Sequence, residues 1–97
     1  MKKIKKVKIA VVGVGHLGKH HVKHYSILDN VDLVGFFDTD LQVSKSIAEK
    51  YKIKNFKNYD ELVKQVDAVS IVTPTRSHYE VSKFFLNNKK HVLIEKP

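Results

Sequence analysis

The run Val7-Lys8-Ile9-Ala10-Val11-Val12-Gly13-Val14-Gly15-His16-Leu17-Gly18 decides the fold of this chain. Its first half is apolar apart from Lys8 and reads as a buried strand. Its second half is G-x-G-x-x-G and leads into residues of helical period. A strand that runs through this glycine pattern into a helix grips the pyrophosphate of a dinucleotide. Gly13 permits the tight turn, Gly15 leaves room for backbone to approach phosphate, and Gly18 lets the helix lie close to its strand. His16 and Leu17 sit inside the turn, where the helix N-terminus points free N–H groups at the anion. Asp38 follows Gly18 by twenty positions and closes the next strand pattern, where an acid binds a ribose hydroxyl pair. Thr39 continues the same site. Neither Thr39 nor Asp40 is a base that would take a 2′-phosphate, so NAD is expected and NADP is disfavoured.

Outward from this motif, apolar runs alternate with helical-period segments, the pattern of βαβ units and a parallel sheet. The first strand is Val7 to Val12. A helix from Gly15 to Leu28 carries Leu17, His21, Tyr25 and Leu28 on one face. Val31 to Phe37 reads as a strand covered on both sides. Thr39-Asp40-Leu41-Gln42 resembles a capping box that opens a helix through Tyr51. A short third strand is expected at Asn55 to Lys57, then a helix from Asn58 to Gln65. Ala68 to Thr73 is the fourth strand, stopped by Pro74. Ser77-His78-Tyr79-Glu80 matches a second capping box and leads a helix to Asn87, and His91 to Ile94 is the fifth strand. Right-handed crossovers then give a doubly wound, Rossmann-type α/β sheet of order 3-2-1-4-5. Ligands bind such sheets at the carboxyl ends of the strands. The glycine turn, Asp38, Thr73-Pro74-Thr75 and Glu95-Lys96-Pro97 all fall there.

Composition narrows the classes further. The 97 residues, 42% of them apolar, suit one domain (1–97) with a modest core. With no cysteine, disulfide frameworks, thiolate zinc sites and cysteine nucleophiles are excluded. No apolar run approaches the ~20 residues that span a bilayer. The basic start resembles a signal n-region, but its apolar stretch is short and ends in glycines, so a cytoplasmic protein with no membrane partner is expected. The formal charge is +8. Its lysines are scattered on polar faces and Arg76 is the lone arginine, which argues against a nucleic-acid partner. The charge remains able to draw in an anionic cofactor or substrate. His16, His20 and His24 recur at i, i+4 and i+8, a metal-ligand spacing. No carboxylate completes that set, and no metal is expected.

G-V-G-H-L-G-K-H-H, F-F-D-T-D, D-A-V-S-I-V-T-P-T-R-S-H and H-V-L-I-E-K-P together resemble the N-terminal domain of the Gfo/Idh/MocA oxidoreductases. E-K-P after the fifth strand is the most specific of these. The resemblance implies NAD(P)-linked oxidation or reduction of a sugar, cyclitol or nucleotide-sugar hydroxyl, with Lys96 as the catalytic lysine beside nicotinamide and substrate. It implies that Thr73, Pro74 and Thr75 lie along the ribose and nicotinamide half of the cofactor, with Glu95 beside Lys96. His78 either lines the cofactor cleft or anchors the helix start, and His21 packs beneath the helix. The glycine-turn string and the basic charge are similar to members acting on UDP-sugars such as UDP-N-acetylglucosamine. Members of the family run on into a C-terminal α/β domain that carries further catalytic residues, the substrate pocket and most of a homo-oligomer interface. The present chain is therefore expected to be a fragment of a two-domain protein, cut before the sixth strand and inactive alone. A biliverdin reductase-like relative and a non-catalytic NAD-binding redox sensor are the alternative readings.

Overall fold

The structure, a computed structural model, describes residues 6–13, 16–73 and 75–94. The elements run β1 (Val7–Val12), α1 (His16–Ser26), β2 (Val31–Phe37), α2 (Leu41–Tyr51), β3 (Lys54–Asn55), α3 (Tyr59–Val63), β4 (Ala68–Ile71), α4 (Thr75–Asn87) and β5 (His91–Ile94). All five strands are parallel, and they lie in the order β3-β2-β1-β4-β5, as the crossover rule requires. β1 is central, and Ala10, Val11 and Val12 have no exposed surface. Alternation along the strands feeds two cores. Ala10, Val12, Val69 and Ile71 meet Phe56, Leu62, Val81 and Phe85 on the face of α3 and α4. Val11 and Phe36 meet Val22 and Ile47 on the face of α1 and α2.

Local chemistry sets the element ends. α1 stops at Ser26, two residues short of the expected end. Ser26 Oγ donates to the Lys23 carbonyl at 2.6 Å, and the Ile27 and Leu28 N–H groups turn to carbonyls three residues back. The cap of α2 is Asp40 and not Thr39. Asp40 Oδ1 accepts from the Gln42 and Val43 N–H groups at 3.0 and 3.1 Å, a carboxylate being favoured at a helix N-terminus. Asn58 caps α3 by accepting from the Glu61 N–H at 2.8 Å, and that helix ends at Val63 where Gln65 was expected. α4 has already begun at Thr75, so Ser77 is its third residue and not its cap. β4 ends at Ile71, before the expected Thr73, although the Val72 N–H still bonds to the Val12 carbonyl at 2.8 Å.

β3 pairs one residue earlier than expected, through Lys54 opposite Gly35 and Asn55 opposite Phe36. Gly35 explains the position. A Cβ there would stand 2.3 Å from the Lys54 carbonyl oxygen and 2.8 Å from the Phe56 ring, so the edge strand closes only over a residue without a side chain. One step before Gly35 the β1–β2 register slips. Ile9 faces Leu33 while Ala10 faces Gly35, which leaves Val34 as an extra residue in β2. The slip places Phe36 in the core under α1 and α2, and Phe37 against the opposite core.

Gly35→Ala is expected to destabilise the fold by about 1–3 kcal/mol through overpacking against backbone. Urea unfolding followed by circular dichroism measures the loss, and an unchanged midpoint would contradict the contact geometry.

Candidate functional site

The ends of β1, β2 and β4 converge on Gly13. Its N–H donates to the Phe37 carbonyl at 2.7 Å. Its φ is +92°, and a Cβ would lie 3.0 Å from the Val72 carbonyl carbon and oxygen and 3.1 Å from the Thr73 nitrogen. Backbone on one side and left-handed torsion on the other leave no place for a side chain. Gly13 thus ends β1 pressed against the backbone after β4, three residues ahead of the start of α1 at His16. Gly18, in the first turn of α1, is buried.

Asp38 follows β2 and is half-buried. Its Oδ1 accepts from the Asp40 N–H at 2.8 Å, and its carbonyl accepts from Ser44 Oγ at 3.4 Å. These bonds fix the acid at the sheet edge and direct the chain into α2. Thr39 is exposed beside it. Across the Gly13 turn, the Oγ1 of Thr73 is buried and has no hydrogen-bond partner among the described residues. A buried hydroxyl left unmade is costly, and here it sits at the carboxyl end of a central strand. The His78 Nε2 lies 2.6 Å from the Thr73 carbonyl. A carbonyl only accepts, so this nitrogen carries the proton. His78 thus anchors the first turn of α4 to the end of β4, one of the two roles open to it.

The structure brings Gly13, Asp38, Thr73 and His78 to the same edge of the sheet, with α1 and α4 starting at His16 and Thr75. Gly15, Pro74, Glu95 and Lys96 lie outside the described residues, as do the side chains of His16, Leu17 and Thr75. His20 and His24 are exposed on α1. The pattern fits a dinucleotide: a glycine cradle that a Cβ would fill, a helix start, an acid after β2 and an unmade hydroxyl after β4.

Two participants were not visible in the sequence. Tyr59, the first residue of α3, packs its ring 4.7 Å from Phe37 and 5.6 Å from Phe85. Burial, with a smaller contribution from the negative charge of Asp38, raises its pKa above the ordinary 10.0. Ser70 is fully buried in β4 and lies 2.6 Å from His21 Nδ1. Tyr59 could have been read only from the cap residue before it, and Ser70 only as a polar interruption of an apolar strand.

Residues 7–97 match the family model described as an oxidoreductase family with an NAD-binding Rossmann fold. The UDP-N-acetylglucosamine 3-dehydrogenase of Acidithiobacillus ferrooxidans is 38% identical over 91 residues, which are 94% of this chain and 28% of that enzyme. Its solved structure superposes with a TM-score of 0.88 over 95% of this chain and 30% of its own. The glucose-6-phosphate 3-dehydrogenase of Bacillus subtilis is 33% identical over 93% of this chain and 26% of its own length. An NAD complex of GenD2 from gentamicin A biosynthesis is 26% identical, with a TM-score of 0.89 over all of this chain and 28% of its own. The chain spans less than a third of the length of each of these proteins.

Because the Tyr59 pKa is raised in the folded state, its phenol stays protonated where the unfolded chain ionises. Its contribution to stability is complete below the unfolded value and is lost as pH climbs through the folded one. Phenolate absorbance is expected to show one tyrosine titrating later than the rest, and Asp38→Asn should bring that transition earlier.

Proposed function

The chain belongs to the Gfo/Idh/MocA oxidoreductase family, and from that premise we propose that it is the NAD-binding domain of a dehydrogenase acting on a sugar hydroxyl. The observation that carries this reading is the Gly13 cradle, closed by Phe37 and Val72 backbone, with Asp38 fixed on one side and the unmade Thr73 hydroxyl on the other. Backbone at Gly13 and Gly15, with the first N–H groups of α1 at His16, Leu17 and Gly18, would hold the pyrophosphate. Asp38, followed by Thr39, would accept from the adenosine ribose. Thr73 Oγ1 would find its missing partner on the cofactor, His78 holds the Thr73 carbonyl, and Pro74 and Thr75 would continue the loop along the ribose and nicotinamide half. When bound, NAD supplies the hydride acceptor or donor for a carbinol carbon. Lys96, next to Glu95, would position the substrate hydroxyl and move its proton.

NAD over NADP follows from charge. Asp38 and Asp40 put two acids and no base directly after β2, which disfavours a 2′-phosphate, and the α2 N-terminus is already taken by Asp40. Among substrates, a UDP-sugar is favoured, supported by the likeness to an enzyme named for UDP-N-acetylglucosamine.

Three outcomes test this reading in the full-length protein. Calorimetric titration is expected to show NADH bound in preference to NADPH, with Asp38→Ala weakening NADH by about tenfold or more through loss of a charge-assisted bond. Lys96→Ala is expected to lower kcat by about 10²–10⁴-fold at unchanged NADH affinity, as removal of a proton-transferring group does. Turnover of UDP-N-acetylglucosamine should exceed that of free cyclitols, and turnover of cyclitols alone would overturn the substrate assignment.

A further inference from the structure

β4 contains one residue that does not belong to an apolar strand. Ser70 has no exposed surface, and neither do its neighbours Val69 and Ile71. Alternation sends those neighbours into the core under α3 and α4, so Ser70 points to the opposite layer, beneath α1, as Val72 does. A hydroxyl there needs a partner, and it has one: His21 on α1, with Nδ1 2.6 Å from Oγ. The imidazole is half-buried and is braced by Tyr25, whose ring stands edge-on with centroids 6.1 Å apart. The two bonded residues are 49 positions apart in the chain.

Burial alone does not call for this pair. An apolar residue at each position would also close the layer, as Val11, Val22 and Phe36 do beside it. Apolar contact is non-directional and so fixes the angle of a helix on a sheet less sharply than a bond does. A hydrogen bond has a fixed length and angle. Both ends of the bond lead to the cofactor edge. His21 lies five residues after the start of α1, about a turn and a half along the helix. Ser70 lies two residues before Val72, whose backbone closes on Gly13. The first turn of α1 holds no acidic residue of its own.

We infer that the His21–Ser70 hydrogen bond sets where the α1 N-terminus stands over the cofactor's pyrophosphate, which makes both of them positioning residues for dinucleotide affinity. The inference rests on the cofactor reading above and adds to it the device that aligns helix with strand. It acts on the diphosphate and not on the adenosine, which is held from the β2 side.

The test uses the full-length protein and three ligands: NADH, ADP and adenosine. Ser70→Ala removes a single oxygen and keeps the fold where His21→Leu fails to. Each variant is expected to bind NADH and ADP about tenfold more weakly, the worth of one buried hydrogen bond. Adenosine affinity stays unchanged. The double variant is no weaker than either single one, because both remove the same bond. His21→Asn, which keeps a polar group near the Nδ1 position, restores most of the NADH affinity. Variants that melt earlier yet bind NADH and ADP like the parent would overturn the inference and leave a structural bond only. Equal losses for adenosine and ADP would overturn it as well, by showing collapse of the whole site. A parent protein that binds none of the three would refute the dinucleotide reading, and the inference with it.

Discussion

Gly13 has room for a hydrogen and nothing larger. The Val72 carbonyl stands 3.0 Å from where its Cβ would be, its φ is +92°, and its own N–H is committed to Phe37. These constraints lock the carboxyl ends of β1, β2 and β4 together at one point. Everything assigned to the cofactor edge inherits its position from that point. Asp38 is one residue beyond Phe37, Thr73 is one beyond Val72, and α1 starts three beyond Gly13. An alanine at this position would meet backbone on one side and strained torsion on the other. It would disperse the site by pushing three strand ends apart.

Much of this was legible because it is written in local code. Glycines at fixed offsets, apolar runs and an acid at a strand end specify the doubly wound sheet, its strand order and the residues along its carboxyl edge. The misses come from contacts between distant segments. β3 pairs at Lys54–Asn55 because Gly35, nineteen residues earlier, admits the Lys54 carbonyl. Two capping-box matches, at Thr39 and Ser77, were outcompeted. Asp40 offers a carboxylate to α2, and a contact between His78 and the Thr73 carbonyl draws the start of α4 back toward β4. Tyr59 and Ser70 were unreadable for the same reason, since their meaning lies in Phe37, Asp38 and His21. The roles of Glu95 and Lys96 rest on the motif they form after β5.

Three buried hydroxyls, two serines and a threonine, differ in where they point. Ser70 is satisfied from within by His21, and Ser44 by the carbonyl of Asp38. Both bonds hold a helix of the α1–α2 layer to the framework. Thr73 keeps its Oγ1 buried, with no partner among the described residues, at the edge where the three strands meet. A polar atom that is dry and unpaired is a reserve of binding energy, released when something with the right lone pair or proton arrives. A hydroxyl thus serves rigidity at Ser70 and Ser44, and at Thr73 it is the group the proposed cofactor would satisfy.

The extra residue in β2 has an effect that runs down the rest of the strand. A pleated strand is a parity code, in which even and odd positions belong to opposite faces. Val34 inserts one count, so the rule that puts Leu33 under α1 also puts Phe36 there, three residues on instead of two or four. Phe37 consequently falls to the other face, where its ring meets Tyr59. A strand that kept Val34 but lost the slip would carry the same letters with inverted meaning: each phenylalanine would address the wrong core. Insertions and deletions in β2 are therefore read by this fold as frameshifts of the sheet, which tolerates many substitutions at these positions more readily than a change in their number.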